Sequence, residues 1–398
     1  MKEKAILSYS GGLDTSILVK WIREKYDVNV ATVTVDVGQG DDFKAIEEKA
    51  MKVGAVKHYF IDAKKEFASD YIHPAIKANA LYEGKYPLST ALSRPLIATK
   101  LVEITKKEKA QYVAHGCSGK GNDQVRFDIT IKAKAPNMRI LAPIREWKLT
   151  RAEEITYARE HGIEIPVGLE KPYSIDQSLW GKAIECGILE DPYQEPPDEI
   201  FALTARPENT SDIPEIVKIS FSNGVPVAVN DRKENPVSLI ETVNRIAGRH
   251  GVGRIDHIED RLVGIKSREI YECPGATVIL EAHKDLEKSV MTRHEAYFKE
   301  IVDREWTNLV YNGLWVDPLK TDLEAFINAI QPRVEGDVKV KLFKGTAIVV
   351  GRRSPYSLYS KKLAAYDAES TFDQKWSEGF IELWGLPSRT ASRVKGRT

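Results

Sequence analysis

Short runs of β-branched residues alternate with amphipathic segments from the start of this chain to about residue 145. Each run is bounded by Gly, Asp or Pro, and Asp41, Asp42 and Gly54 offer start and stop signals for an intervening helix. This β-α-β-α alternation predicts an α/β fold with a parallel sheet covered by helices on both faces. Ligands of such sheets bind beyond the carboxyl ends of the strands, so the loops that follow the runs are candidate binding loops. The predicted strands are Ala5–Tyr9, Val28–Val37, His58–Ile61, Tyr112–His115 and Ile140–Pro143.

A pair of glycines lies where the first predicted strand ends and a helix begins. Adjacent glycines let the backbone turn and approach a ligand closely, and the first N–H groups of the helix attract anions. Ser10, Thr15 and Ser16 add hydroxyl donors. The lysine of the GxxxxGK[ST] motif is missing, so the pattern predicts a phosphate-binding loop that differs from the ordinary P-loop. The loop consists of Ser8, Tyr9, Ser10, Gly11, Gly12, Leu13, Asp14, Thr15 and Ser16.

The loop after the fourth predicted strand carries groups suited to a zwitterionic ligand. Ser118, Asn122, Asp123 and Arg126 supply a hydroxyl, an amide, a carboxylate and a guanidinium beside three spaced glycines. An amino acid needs donors for its carboxylate and an acceptor for its ammonium group, and this loop has both. The sequence therefore predicts an amino-acid-binding loop next to the phosphate-binding loop.

The second half of the chain leaves this alternation. Prolines punctuate a stretch with little periodicity after Pro166, which is typical of a crossing between domains. Two hairpins, turning at Asn223-Gly224 and Lys344-Gly345, and three helical stretches then predict a mixed α+β domain. The hairpins span 216–229 and 338–350, and the helices are expected at about 237–248, 284–310 and 318–330.

Three domains are expected, and the third is a short apolar and basic segment. The predicted bounds are 1–168 for a nucleotide-binding domain, 169–364 for a substrate and multimerisation domain, and 365–398 for a C-terminal oligomerisation segment. Apolar side chains so close to a terminus often dock on another subunit or on the chain's own core. Those of the last segment are Phe380, Ile381, Leu383 and Trp384.

The charge balance excludes broad classes of partner. The 58 Lys and Arg residues equal the 58 Asp and Glu residues, whereas proteins that cover nucleic acid or anionic lipid carry a large basic surplus. No run of apolar residues is long enough to span a membrane or to form a secretion signal, so a cytoplasmic location is expected. The three cysteines are far apart, which argues against a disulfide framework or a zinc site.

The glycine loop resembles the SGGxDS loop of enzymes that cleave ATP into AMP and pyrophosphate. Several families share that loop, including NAD synthetase, the GMP and asparagine synthetases and tRNA-thiolating enzymes. Three further segments are LYEGKYPLSTALSRP at 81–95, GVGRID at 251–256 and GIKSREIYECP at 264–274. Together with the amino-acid loop, they resemble the argininosuccinate synthase family, and the likeness runs nearly end to end.

This resemblance implies a reaction and a fold. In that family, citrulline, aspartate and ATP form argininosuccinate, AMP and pyrophosphate through a citrullyl-adenylate, a step of arginine biosynthesis. The implied fold is that of the adenine nucleotide alpha hydrolases, the implied assembly is a homotetramer, and Mg²⁺ would accompany the ATP phosphates. Neither chemical step requires a side-chain nucleophile, so no residue is assigned as catalytic; Asp14 and Asp123 are the candidates.

The resemblance also implies which residues bind each substrate. Ser118 stands where many members have threonine, which keeps the hydroxyl, whereas Ala91 and Ala183 stand where some have serine and offer no hydroxyl to citrulline. The implied ATP contacts are the nine residues from Ser8 to Ser16 together with Val35 and Gly116. The implied citrulline contacts are Tyr86, Thr90, Asn122, Arg126, Ser174, Glu259 and Tyr271, and the implied aspartate contacts are Ser118, Asn122 and Asp123.

Two other functions fit part of the pattern. A tRNA sulfur transferase uses a similar ATP loop, but it would need reactive cysteines and a basic surface. A non-catalytic nucleotide-binding regulator would need the ATP loop alone, whereas this chain also carries both amino-acid loops.

Overall fold

The computed structural model describes residues 2–147, 151–164, 173–366 and 370–396. The chain divides into one compact unit, Met1–Tyr356, and a second, Ser357–Thr398. The expected domain boundary at residue 168 lies outside the described residues.

A five-stranded parallel sheet forms the first part of the larger unit. The second strand has buried residues along nearly its whole length, which is typical of a parallel strand covered on both faces. The strands are β1 (Lys4–Ser8), β2 (Asn29–Asp36), β3 (Lys57–Asp62), β4 (Tyr112–Ala114) and β5 (Arg139–Leu141). They pair in the order β3-β2-β1-β4-β5, and every pairing is parallel. The predicted α/β class and all five predicted strands are confirmed.

Helices connect these strands. The first begins at Leu13, directly after the glycine pair, and the second is capped by Asp42, whose side chain accepts a hydrogen bond from the backbone N–H of Ala45 at 3.0 Å. Between α3 and α4 lies a π-helical turn, Phe67–Ile72. The helices are α1 (Leu13–Tyr26), α2 (Phe43–Lys52), α3 (Lys64–Glu66), α4 (His73–Lys77), α5 (Ser89–Glu108), α6 (Asp123–Lys134), α7 (Pro143–Glu146) and α8 (Arg151–Glu160).

From residue 173 to residue 356, the larger unit contains two antiparallel sheets and four α-helices. The strands are β6 (Ser174–Ser178), β7 (Gly181–Glu185), β8 (Glu215–Ser222), β9 (Val225–Val229), β10 (Arg232–Lys233), β11 (Arg254–Asp260), β12 (Lys266–Glu272), β13 (Gly336–Phe343) and β14 (Thr346–Arg353). One sheet has the order β11-β12-β7-β6 and the other β10-β9-β8-β13-β14. The helices are α9 (Pro236–Arg249), α10 (Pro274–Val290), α11 (Arg293–Tyr311) and α12 (Pro318–Ile330).

Both predicted hairpins and two of the three helices predicted in this half are confirmed, and one helix is wrong. The single helix expected at 284–310 is two helices, because the first ends at Val290 and Thr292 caps the start of the second. Its hydroxyl accepts a hydrogen bond from the N–H of Glu295 at 3.3 Å, and the Glu295 carboxylate accepts one from the N–H of Thr292 at 2.9 Å. The stretch expected to lack periodicity also contains the β6–β7 hairpin.

The β6–β7 turn packs against the end of β2 and the segment before α5. The N–H of Leu179 donates to the carbonyl of Val37 at 2.8 Å, and the indole N–H of Trp180 donates to the carbonyl of Pro87 at 2.8 Å. Gly38 has a positive φ of 91°, and a Cβ there would lie 2.8 Å from the Cβ of Leu179. These contacts bring one antiparallel sheet close to the carboxyl ends of the parallel strands.

The described residues of the smaller unit form three helices: α13 (Lys361–Ala364), α14 (Trp376–Trp384) and α15 (Leu386–Lys395). Apolar side chains of α14 are exposed in the single chain, including Phe380 at 59% and Leu383 at 75%. Within the described part of the chain, no helix combines the length and the apolar character needed to cross a membrane.

Candidate active site

A cleft of about 750 Å³ opens at the carboxyl ends of β1, β2 and β4, and it also reaches β6, β7, β11 and β12. The structure brings nearly all of the sequence-predicted site residues to this one cleft, except Gly11 and Ser16 of the glycine loop. The predicted residues that line it are Ser8, Tyr9, Ser10, Gly12, Leu13, Asp14, Thr15, Val35, Tyr86, Thr90, Gly116, Ser118, Asn122, Asp123, Arg126, Ser174, Glu259 and Tyr271.

The glycine loop is held by hydrogen bonds among its own residues. The hydroxyl of Ser16 donates to the carbonyl of Gly12 at 2.7 Å and lies 3.0 Å from the phenol oxygen of Tyr9. Gly11 has a positive φ of 77° and is tied by its carbonyl to the ammonium group of Lys49 at 2.7 Å. No side-chain hydrogen bond caps the start of α1, and its first N–H groups have no partners within the helix. This arrangement suits a phosphate group.

Asp123 lies between two arginines at the centre of the cleft. Its Oδ2 accepts a hydrogen bond from Nε of Arg94 at 2.6 Å, and its Oδ1 accepts one from Nη1 of Arg126 at 2.9 Å. Arg94 also forms an ion pair with Asp176 at 2.6 Å. Burial alone would raise the pKa of Asp123, but the charges and hydrogen bonds of Arg94 and Arg126 outweigh it and hold the pKa below its usual value. Asp123 is therefore a poor proton acceptor, although it remains a strong acceptor of hydrogen bonds.

An aromatic and carboxylate cluster forms another wall of the cleft. The rings of Tyr86 and Tyr271 stack with centroids 4.1 Å apart, and the Tyr86 phenol accepts a hydrogen bond from the N–H of Thr90 at 2.9 Å. The Tyr271 phenol donates to Oε2 of Glu259 at 2.6 Å. Burial, followed by the charge of Glu259, raises the pKa of the Tyr271 phenol well above its usual value, so this phenol stays protonated as a donor.

The two alanines that replace serine occupy different positions. Ala183 lines the cleft on β7, opposite Tyr271 in the sheet register. Ala91 is fully buried at the start of α5, with its N–H 3.4 Å from the Tyr86 phenol oxygen. Only Ala183 therefore leaves a space at the cleft surface where a serine hydroxyl could reach a ligand.

Several charged residues of the cleft were not predicted as site residues. Arg94, Arg261 and Glu269 lie in or beside the motifs that carry the resemblance, and Asp176 and Glu185 lie on β6 and β7. Sequence spacing gave no signal for them, because each partner lies on a separate element. Nη2 of Arg261 contacts both Glu185 and Glu269, the latter at 2.6 Å.

Glu269, which lies close to the carboxylate of Glu185, makes a pH-dependent contribution to the stability of the fold. Burial, followed by the charge of Glu185, raises the pKa of Glu269 to about 7. Between the usual glutamate pKa and about 7, the folded chain holds a proton that the unfolded chain has lost, so this contribution to stability falls as pH rises through that window. Glu269→Gln lacks this titration. The free energy of unfolding of the variant, relative to that of the unsubstituted chain, should therefore be higher at pH 8 than at pH 5, by on the order of 1 kcal/mol.

Urea denaturation of both proteins at the two pH values measures this difference. A difference in the free energy of unfolding that is independent of pH would contradict the raised pKa of Glu269.

The pKa values of the three thiols do not favour sulfur chemistry. Burial raises the pKa values of Cys117, Cys186 and Cys273, so none is activated as a thiolate. Among the residues that the structure describes, no group of three or more His, Cys, Asp or Glu side chains is arranged to hold a metal ion.

Two protein-family models match most of the chain, including the residues that line the cleft. The family model described as the arginosuccinate synthase N-terminal HUP domain matches residues 4–164, and the model of the arginosuccinate synthase C-terminal domain matches residues 173–391. Among solved structures, a U34-tRNA thiolase from Methanococcus maripaludis is 15% identical and covers 42% of this chain and 59% of its own, with a TM-score of 0.29, a likeness too weak to support a conclusion.

Curated relatives match over nearly the full length. The argininosuccinate synthase of Pyrococcus furiosus is 58% identical and covers 97% of this chain and 93% of its own length. Those of Geobacillus sp. (strain WCH70) and Bacillus subtilis are 55% and 54% identical, and each covers 99% of this chain and 98% of its own length. The chain therefore belongs to the argininosuccinate synthase family.

Proposed function

We propose that this chain joins citrulline to aspartate with cleavage of ATP to AMP and pyrophosphate, as an ATP-dependent carbon–nitrogen ligase of arginine biosynthesis. The observation that carries this proposal is the single cleft in which the glycine loop, the loop after β4 and the Tyr86–Tyr271–Glu259 wall meet. A nucleotide sensor would need only the first of these, and the raised pKa values of the three thiols do not favour a tRNA sulfur transferase.

ATP is assigned to the glycine loop. The residues from Ser8 to Ser16 would hold the phosphates with backbone N–H groups and hydroxyls, while Val35 and Gly116 would contact the nucleoside. Gly116 is tightly packed, since a Cβ there would lie 3.1 Å from Leu18 and 3.5 Å from Thr15. Gly11 and Ser16, which do not line the cleft, would act by shaping the loop.

Citrulline is assigned to the opposite wall. Tyr86, Thr90, Asn122, Arg126, Ser174, Glu259 and Tyr271 are its proposed contacts. Three of the five guanidinium N–H groups of Arg126 are used within the protein, because Nε and Nη2 donate to the Tyr311 carbonyl and Nη1 donates to Asp123. The other two remain for the citrulline carboxylate.

Aspartate is assigned to the loop after β4. Ser118, Asn122 and Asp123 are its proposed contacts, with the Asp123 carboxylate accepting hydrogen bonds from the substrate ammonium group. The two arginines are balanced by two carboxylates, Asp123 and Asp176, so the local charge at this point is balanced rather than strongly negative. The anionic side chain of the substrate can therefore be accommodated nearby.

The chemistry proceeds by alignment of substrates. The ureido oxygen of citrulline attacks the α-phosphorus of ATP and pyrophosphate leaves; the α-amine of aspartate then attacks the activated carbon and AMP leaves. Fixed donors around the developing phosphate charge stabilise the first transition state. The aspartate ammonium must lose a proton, and Asp123, whose pKa is held below its usual value, is a poor acceptor for it.

Mg²⁺ would be bound mainly by the ATP phosphates, since no described cluster of acidic side chains could hold it alone. Asp14, at the start of α1 and on the cleft surface, is the side chain best placed to accompany such an ion. When bound, the ion would neutralise charge on the pyrophosphate leaving group.

One assay tests the proposed function. Purified protein should release pyrophosphate from ATP only when both citrulline and aspartate are present, and argininosuccinate should form in equal amount. Release without citrulline, or none with all three substrates, would contradict the proposal.

The assembly and the location are also proposed. The exposed apolar face of α14 supports a homotetramer in which the C-terminal segment docks on neighbouring copies. The domain bounds 1–168, 169–364 and 365–398 and a cytoplasmic location remain part of this proposal. Light scattering of the purified chain would test the tetramer, and a monomeric mass would contradict it.

A further inference from the structure

Tyr311, the last residue of α11, is buried behind the cleft and has no assigned role. It is 1% exposed, and it is not among the described residues that line the cleft. It belongs to the C-terminal family region, yet it contacts two residues of the N-terminal region, Asn122 and Arg126, as well as Glu259. One residue thus joins residues assigned to two different substrates.

The direction of the hydrogen bonds at the Tyr311 hydroxyl is fixed by its neighbours. Oδ1 of Asn122 accepts a bond from the N–H of Leu262 at 2.9 Å, so the Nδ2 amide group of Asn122 is the one that faces Tyr311. Nδ2 donates to the Tyr311 oxygen at 2.8 Å, and the Tyr311 hydroxyl donates to Oε1 of Glu259 at 2.6 Å. A directed chain therefore runs from Asn122 through Tyr311 to Glu259.

Glu259 is held between two phenols. Tyr311 donates to Oε1 and Tyr271 donates to Oε2, both at 2.6 Å, and the side chain is only 3% exposed. A buried carboxylate needs such donors, and two of them acting on different oxygens fix its plane as well as its position. Removal of one phenol would let the carboxylate rotate.

The backbone of Tyr311 holds Arg126 independently of the hydroxyl. Its carbonyl oxygen accepts from Nε at 3.1 Å and from Nη2 at 3.0 Å. The backbone at Gly313, just after α11, also packs closely against Arg126, since a Cβ on Gly313 would lie 3.1 Å from the Cα of Arg126. A side-chain substitution can therefore separate the hydroxyl contacts from the Arg126 contact.

We propose that Tyr311 is a positioning residue for the two amino-acid substrates: its hydroxyl locks Asn122 and Glu259 in one arrangement while its carbonyl orients Arg126. The inference rests on the proposed function, because it acts through residues assigned there to citrulline and aspartate. Tyr311 reaches the substrates only through these three neighbours.

Tyr311→Phe should raise the KM for citrulline and the KM for aspartate, each by roughly 10-fold. The reason is that the hydrogen bond to the Glu259 carboxylate and the hydrogen bond from the Asn122 amide are lost together. The KM for ATP should change by less than about twofold, since no ATP contact depends on Tyr311. Steady-state kinetics with each substrate varied in turn measure these values.

Tyr71→Phe is the matched control. Tyr71 is also a buried tyrosine, 6% exposed, and its ring stacks on Trp315 at 4.5 Å as that of Tyr311 stacks on Tyr82 at 3.4 Å. Its hydroxyl does not line the cleft. Tyr71→Phe should leave all three KM values within about twofold of those of the unsubstituted chain. A larger change in Tyr311→Phe is then due to the contacts of the Tyr311 hydroxyl and not to the loss of a buried tyrosine hydroxyl in general.

A double substitution tests whether Tyr311 acts through Glu259. In a Glu259→Gln background, Tyr311→Phe should raise the citrulline KM by clearly less than it does alone, because part of its effect has already been lost. An undiminished effect, or equal rises for citrulline, aspartate and ATP, would overturn the positioning role. If the unsubstituted chain is active but Tyr311→Phe matches Tyr71→Phe, the inference alone fails; if the unsubstituted chain needs neither amino acid, the proposed function fails with it.

Discussion

Asp123→Asn should lower kcat/KM for aspartate by roughly 100-fold, because the substrate ammonium group loses a charged acceptor and the two arginines lose their shared counter-ion. Asparagine keeps the size and one oxygen of the side chain, so the fold should survive. Oδ1 and Oδ2 each bind a different arginine, and the amide group cannot accept from Arg94 and Arg126 together. The KM for ATP should change by only a few-fold.

Kinetics with aspartate varied at saturating ATP and citrulline measure this effect. Asp337→Asn is the matched control, because Asp337 is similarly buried and accepts from Ser220 at 2.6 Å and from Arg353 at 2.7 Å without lining the cleft. A kcat/KM for aspartate within about threefold of the control would rule out the aspartate role of Asp123.

The structure changes how substitutions of Arg126 and Asp123 should be interpreted. The family resemblance implies that Arg126 contacts citrulline and Asp123 contacts aspartate, as separate contacts. In the folded chain Arg126 and Asp123 form an ion pair, and Asp123 forms a second ion pair with Arg94. Truncation of Arg126 to alanine should therefore raise the KM values of both citrulline and aspartate.

The parallel sheet could be predicted because its signal is local. Each strand is a short apolar run followed within a few residues by a turn or a cap, and all five strands lie where these signals place them. The break between α10 and α11 was missed because the apolar spacing continues through it. The signal was present as the capping pair Thr292 and Glu295, three residues apart.

The candidate site could be predicted only where it is contiguous in sequence. The glycine loop and the loop after β4 are single segments whose composition indicates their chemistry. Arg94, Glu269 and Tyr311 gave no such signal, because what matters is their partners, and Tyr311 lies 189 residues from Asn122. The balanced net charge agrees with this picture: buried charges in the cleft are paired locally, as in the Arg94–Asp123–Arg126 cluster.

Gly12→Ala should lower kcat/KM for ATP by roughly 100-fold while the chain stays folded, because the new methyl group would stand where a phosphate approaches the backbone N–H groups of the loop. Gly12 lines the cleft, and its φ of −66° and ψ of 172° are open to any residue. A Cβ there would approach only Ser10, at 3.4 Å, so the protein itself has room for it. Kinetics with ATP varied, together with urea denaturation, measure both quantities.

Alanine substitutions at two further glycines serve as controls for Gly12→Ala. Gly11→Ala should instead destabilise the fold, because Gly11 has a φ of 77° and a Cβ there would lie 2.9 Å from the Ile46 side chain. Gly351→Ala on β14 should change neither property, since its Cβ would make an ordinary 3.7 Å contact with Lys339. If Gly12→Ala kept its kcat/KM for ATP within about threefold, no phosphate would pass close to this backbone; if it lost stability as Gly11→Ala does, its role would be structural.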